Sequence, residues 1–339
     1  MRLSESIGKN IYSVSPGAIL NKFKGAPRRN TLFFEDIIAN YVKACEEAGH
    51  ASEIQKIGQE WLSAMTKEMM IQPLRRMPPP LFINLIWERV WKNLGMVTYI
   101  HVKEEGNLTK LSTGEEVITR LIGENHLATG SYMGVFNALY GFHFDCKSAD
   151  QSKESCEYVF ERKDEKFEIK SKTKREYLRL NRPGIGGGNT LKSSLDSRTF
   201  LLKEKNRIYF RGKSITPMEN TILHIIGNYS ILMERIPELS YNFFKDIVEP
   251  DTTPENKLRL IKTLLNAMGY GVINIIVEDD RLLFRIKNPP YGMQIGEDNW
   301  DFLIYAIQGY LWLINEGFVI EGVRAPTKNS NVLEASFTR

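Results

Sequence analysis

The chain has little cysteine: three residues in 339. That excludes a disulfide framework. In a chain this long it points to a reducing, cytoplasmic setting, where a close cysteine pair is more often a metal site than a bridge. There is no run of 18 or more apolar residues, so no membrane span is expected. The opening MRLSESIGKNIYS lacks the apolar core of a signal peptide. Neither sign of charge is in large excess: 45 basic residues against 41 acidic leave a net charge of +4. That balance does not by itself imply nucleic acid. A phosphate loop is missing too. Residues 183–189 read PGIGGGN, but the Gly-Lys-Ser/Thr ending is absent and the dinucleotide spacing fails at Asn189. The segment reads instead as a flexible joint. No nucleophile–base pair is visible, so no catalytic residue is assigned.

The composition present is that of an ordinary globular protein, 42% hydrophobic and 25% charged. Single cores rarely grow past about 250 to 300 residues, so two domains are expected. Residues 1–31 read as irregular, with one short strand. Apolar positions at helical spacing predict helices over 32–45, 54–65 and 82–94, with breaks at Pro73 and Pro78-Pro79-Pro80. Cys45 falls on the first stripe and reads as a core thiol. Alternation predicts strands over 96–102, 108–111 and 116–122. A helix over 129–140, stopped by Gly141, leads to strands 142–146 and 156–160 around a polar loop. The second half predicts a strand at 207–210 and helices near 218–235, 237–248 and 254–268. Strands follow at 271–277 and 282–286, a helix at 298–315, and strands at 317–323 and 332–337.

The second half repeats the first. WKNLGMVTYIHVKEEGNL aligns with LLNAMGYGVINIIVEDDRL, and the stretch from Gly134 to Phe160 aligns with that from Gly309 to Phe337. Identity is low; what recurs is element order with a few small and aromatic positions. The expected fold class is therefore α+β, built of two repeated units. Each is a helix bundle packed on a curved antiparallel sheet, with a cleft between helices and sheet. Expected bounds are 1–175 for the first unit, 176–205 for a linker and 206–339 for a second, degenerate unit. A face-to-face pairing of the copies would make a dimer within one chain.

Two of the five histidines and two of the three cysteines fall between His126 and Phe160. Zinc favours thiolate and imidazole in a four-coordinate shell. His126, His143, Cys146 and Cys156 could converge as a closed, structural site. The spacing matches no standard finger, and free thiols with surface histidines, or a cysteine bridge, are the other readings. The second copy has Val319 and Gly322 where the first has His143 and Cys146, so any such chemistry belongs to the first alone. His50, His101 and His224 have no comparable company and read as structural. The basic stretch 161–182 is interleaved with acids and poor in aromatics, which makes nucleic acid an unfavoured partner.

The same stretch resembles the 4-vinyl-reductase domain family. Its superfamily also includes haem nitric-oxide-binding domains and transport-particle tether subunits. The resemblance rests on Gly130-x-x-x-Gly134, the apolar run after it, Gly141 with a following aromatic, Cys146, a loop, and Cys156 leading into Glu157-Tyr158-Val159-Phe160. It spans residues 54–160, and 218–339 only through the repeat. In phenol- and xylene-responsive members zinc is held by a Cys, a Glu and two further Cys. At those positions this chain has His126, His143, Cys146 and Cys156, with Asp145 an alternative to His143. The resemblance implies binding rather than turnover: a small apolar ligand in the helix–sheet cleft, here facing Trp61, Trp87, Trp91, Met133, Phe136 and Tyr140. Those side chains also read as plain core. Expected partners are that ligand and a homo-oligomeric or regulatory protein partner. The alternative functions are a tetrapyrrole-binding or vinyl-reductase-like protein, and a regulator linked to nucleic acid through 161–182.

Overall fold

The structure is a computed structural model that describes residues 11–23, 26–69, 77–183, 186–327 and 330–339. The expected break at Pro73, part of the 183–189 joint (Gly184 and Ile185) and the first ten residues lie outside the described residues. The first copy opens with a meander of β1 (Ile11–Ser15), β2 (Ala18–Phe23) and β3 (Ala26–Phe34). Helices α1 (Glu35–Glu47), α2 (Ala51–Met69) and α3 (Pro79–Phe82) follow, then a π-helical turn (Ile83–Trp87) and α4 (Glu88–Asn93). The hairpin β4 (Tyr99–Glu105) and β5 (Leu108–Gly114) leads through α5 (Thr119–Ile122) and α6 (His126–Tyr140) to the hairpin β6 (Phe142–Gln151) and β7 (Ser155–Lys166).

Two short helices, α7 (Lys174–Leu180) and α8 (Leu191–Asp196), connect to the second copy. It has the same order. The meander is β8 (Leu201–Leu202), β9 (Ile208–Phe210) and β10 (Lys213–Glu219), and the helices are α9 (Thr221–Tyr229), α10 (Ile236–Lys245) and α11 (Pro254–Ala267). The hairpin β11 (Val272–Glu278) and β12 (Arg281–Lys287), helix α12 (Asp301–Leu311), and hairpin β13 (Val319–Arg324) and β14 (Val332–Thr338) complete it. The fold is α+β, with helices packed on antiparallel sheets.

Topology establishes the duplication better than the residues do. The two four-stranded sheets have orders β4-β5-β7-β6 and β11-β12-β14-β13, one pattern used twice. The two meanders join into a single sheet, β1-β2-β3-β10-β9-β8, whose order mirrors about the β3–β10 pair. That seam pairs Phe33 with Thr216 and Leu32 with Pro217. β9 pairs only with 213–215, so Pro217 has a strand on one side alone. Leu32 opposite it donates its N–H to Met268 O at 2.8 Å instead, so the proline's missing N–H breaks no bond of the pair.

Each meander is also seated on the other copy. Gly17 N donates to Asn266 O at 2.8 Å, and Gly271 N donates back to Gly17 O at 3.0 Å. On the opposite side Asn206 Nδ2 donates to Lys92 O at 3.2 Å, next to Gly95. Gly95 and Gly269, aligned in the repeat, each adopt positive φ (71° and 91°) after a helix and each meet backbone of the other copy. Buried Arg29 fastens the seam: its Nη2 donates to the carbonyls of Gly17 (2.7 Å), Asn288 (2.7 Å) and Gly269 (3.1 Å).

Several expectations are corrected. Residues 11–34 form three strands rather than an irregular segment with one. The 116–122 strand is a turn and the short helix α5; Ile118 there has φ 71° and donates its N–H to Glu35 Oε1 at 2.9 Å. The polar loop 147–155 is mostly hairpin, because β6 runs to Gln151 and β7 starts at Ser155. Its polarity reflects an edge strand exposed along most of its outer half, not an absence of strand. Within 176–205, Tyr177 and Phe200 are buried and β8 pairs with β9, so this stretch carries core residues.

Candidate functional site

Helix α6 packs backbone-close on α2. A methyl group added at Gly130 would lie 1.8 Å from Gln55 O. Trp61 of α2 lies with residues of β3 and β10 of the six-stranded sheet around one cavity. From the other side the π-helical turn and α4 present Trp87 and Trp91, whose ring centroids are 4.8 Å apart. The three indoles wall a cavity of about 50 Å³, closed by Arg28 and Asn30 of β3 and by Pro217, Met218 and Glu219 of β10. Three methionines, Met65, Met96 and Met218, complete the soft part of its lining. A second void of about 30 Å³ shares Trp61, Trp91, Met96 and Met218 with it. On its far wall Glu116 accepts from four hydroxyls: Thr113 (2.6 Å), Tyr132 (2.7 Å), Thr119 (2.8 Å) and Tyr158 (2.8 Å). That carboxylate is fully engaged and pins α6 and β7 to the segment after β5.

The polar groups of the larger cavity are unequal. Glu219 is bound on both oxygens, accepting from Tyr177 OH at 2.7 Å and from Thr221 N at 2.9 Å. Burial nevertheless pushes its carboxyl up to about 7, against the pull of those bonds. Burial likewise draws the Arg28 guanidinium below its ordinary value, with Glu219 opposing. Arg28 Nε and Trp61 Nε1 are buried without a hydrogen-bond partner among the described residues.

The second copy has a cavity of about 50 Å³ in the corresponding place, where α11 and α12 meet Phe33 and Phe34 of β3. Ile261, Leu264 and Leu265 occupy the side that Trp87 and Trp91 hold in the first copy. Among the described residues, the only polar side-chain atom in its lining is the Tyr270 hydroxyl.

Of the six expected ligand-facing residues, Trp61, Trp87 and Trp91 meet at the first cavity. Met133, Phe136 and Tyr140 lie elsewhere on α6. Met133 Sδ accepts from Gln55 Nε2 at 2.9 Å. Phe136 packs on Phe144 and Phe160 with centroids 5.6 and 5.2 Å away. The Tyr140 hydroxyl donates to Glu104. Arg28, Met218 and Glu219 were not singled out in the sequence, because only the β3–β10 seam brings them to the tryptophans.

The four expected zinc ligands are not gathered. Cys156 pairs with Gln151 across β6–β7, whereas Cys146 pairs with Phe160. Four residues of strand, roughly 13 Å, separate those two rungs. His126 opens α6 near the Cys156 end, its Nδ1 3.1 Å from Glu46 Oε1, and that carboxylate raises its pKa. His143 lies at the other end, edge-on to Phe167 at 5.0 Å. Asp145, the alternative ligand, is 3.1 Å from Lys163 Nζ. Cys146 is partly exposed and Cys156 buried, both as free thiols, and burial pushes the Cys156 thiol up to about 12. Among the described residues no group of three or more His, Cys, Asp or Glu side chains is placed to hold a metal ion. The residues therefore do not fit the expected tetrahedron. In the basic stretch, Lys163 pairs with Glu161 at 2.5 Å and Lys172 with Asp298 at 3.0 Å, so part of its charge is neutralised internally.

No family model matches the sequence, and no curated protein matches it significantly. Among solved structures the chain is similar to a trafficking protein particle complex subunit 3 from Naegleria fowleri covalently bound to palmitic acid. The identity is 11%, over 40% of this chain and 98% of that one, with a TM-score of 0.29. So slight a likeness transfers neither fold nor function. No helix among the described residues is long and apolar enough to cross a membrane.

Proposed function

We propose that the chain is a non-catalytic protein that binds a small, largely apolar molecule between its helices and its central sheet, as a sensor or scaffold. The observation that supports this reading is the convergence of Trp61, Trp87 and Trp91 on one cavity whose far wall includes β10 of the other copy. Binding sites of this kind are mostly apolar with a few placed polar groups. Because β10 supplies Pro217, Met218 and Glu219 to the wall, an occupant would press on the seam between the copies, which is how binding could reach the rest of the molecule. At about 50 Å³ the cavity is smaller than the roughly 150 Å³ void that accepts benzene in an engineered protein. The methionine side chains must therefore move aside, as flexible thioethers can. Titration with toluene, followed by tryptophan emission, tests the reading. Saturable binding with a shift in tryptophan emission is the expected result. Absence of saturable binding by toluene and by polar analogues of its size would refute it.

A further inference from the structure

The tryptophan-walled cavity contains an unfilled demand of one kind. Arg28 Nε and Trp61 Nε1 are both buried, both belong to side chains that line it, and neither has an acceptor among the described residues. Buried polar groups are nearly always paired. Here both unpaired groups are N–H donors, and one belongs to a guanidinium, which carries charge at all ordinary pH. What the cavity lacks is thus an acceptor, and preferably an anionic one. The nearby Glu219 carboxylate attracts the Arg28 guanidinium electrostatically but does not accept from Arg28 Nε; its hydrogen bonds come from Tyr177 and Thr221.

Two further observations set this cavity apart. Trp87 reaches it from a π-helical turn, Ile83–Trp87, a distortion that recurs at functional sites. The corresponding cavity of the second copy is lined by no cationic side chain and no indole among the described residues, so the demand is not a by-product of the fold.

We infer that this cavity takes a small apolar monocarboxylate, its carboxylate oxygens accepting from Arg28 and Trp61 and its apolar body lying against Trp87 and Trp91. The inference rests on the binding function proposed above and names the ligand class for that same cavity. A planar carboxylate matches the guanidinium geometrically, and bonds between two charged partners are stronger than neutral ones. The two indoles offer apolar surface to a flat or an aliphatic body alike, so the acid group, not the body, sets the selectivity.

Benzoate, benzamide and toluene, titrated calorimetrically into the full chain, separate the terms. Benzoate is expected to bind at least tenfold tighter than benzamide. Arg28→Met should erase that preference and leave toluene binding in place, and Arg28→Lys should retain part of it. Trp61→Phe, which keeps the ring and removes the donor, should weaken benzoate several-fold without affecting toluene. It carries the test if Arg28→Met fails to fold. Equal binding of benzoate and benzamide, or a benzoate preference that survives in Arg28→Met, overturns the inference. If toluene still binds in that case, the general binding function stands. Failure of all three probes overturns both.

Discussion

Gly134 lies against Gln59 so closely that a methyl group on the glycine would sit 2.3 Å from the Gln59 carbonyl oxygen. The aligned glycine of the second copy, Gly309, is held in the same way, 2.0 Å from Pro237 O by the same measure. Each copy thus brings its last helix backbone to backbone with an earlier one, α6 on α2 and α12 on α10. Alanine would add helix propensity of roughly 1 kcal/mol. The obstructing atom is backbone, however, and cannot swing away. Gly134→Ala is therefore expected to destabilise by about 2 kcal/mol or more, read from urea unfolding. Because α2 carries Trp61, the same variant should also shift tryptophan emission in the folded state.

A buried ion pair holds the turn after β5. Arg120 Nη2 is 2.5 Å from Glu35 Oε2, with the carboxylate fully buried. The other oxygen accepts from the N–H of Ile118, a β-branched residue at φ 71°. That backbone conformation is costly for such a side chain and persists here because Glu35 anchors it. Removing one partner strands the other charge in the interior, at a cost of about 3 to 5 kcal/mol. Arg120→Met and Glu35→Gln are each expected to lose stability on that scale. The double variant should lose much less than their sum, which a double-mutant cycle measures directly. Additive losses would show that the pair is not coupled.

Local periodicity made most helices legible. Ile37, Ile38, Tyr41, Val42 and Cys45 form a stripe, and all five are buried on α1. The hairpin around Gly106 and the recurrence of Gly134 at Gly309 likewise showed in the sequence, and with them the α+β class and the duplication. The seam between the copies did not. β3 and β10 are about 180 residues apart, and Pro217 inside β10 argues locally against a strand. Hence Trp61, Trp87 and Trp91 could be selected as candidates, but Arg28 of β3 and Glu219 of β10, which line the same cavity, could not. The separation of the four side chains expected to hold zinc is a matter of register. Spacing in sequence leaves the distance between Cys146 and Cys156 open, and it is the rungs of β6–β7 that set it.

That register has a chemical consequence. With Cys146 opposite Phe160 and Cys156 opposite Gln151, the two thiols have no common centre. Protein purified without added metal is expected to carry well under one zinc per chain by elemental analysis, and a chelator should leave its melting temperature unchanged. Cys146→Ser, at a partly exposed edge, should cost no more than about 0.5 kcal/mol. One bound zinc that is lost in Cys146→Ser would show that the four side chains do assemble.

Stability should depend on pH through Glu219. Burial raises its carboxyl from 4.5 to about 7 in the folded chain. Below pH 4.5 the group is protonated in both folded and unfolded chains and contributes no difference. Between pH 4.5 and 7 the folded chain keeps its proton while the unfolded chain gives it up, so the folded state binds more protons and stability falls as pH rises. Above pH 7 both forms are ionised and the penalty is constant, at about 3 kcal/mol for a shift of this size. Glu219→Gln cannot titrate. It loses one acceptor for Tyr177 or Thr221, a cost nearly independent of pH. The difference in unfolding free energy between wild type and Glu219→Gln should therefore move in the variant's favour from pH 4.5 to 7 and level off above it. Urea titrations at intervals of half a pH unit would resolve that slope, and parallel curves for the two proteins would show that the Glu219 carboxyl ionises as freely when folded as when unfolded.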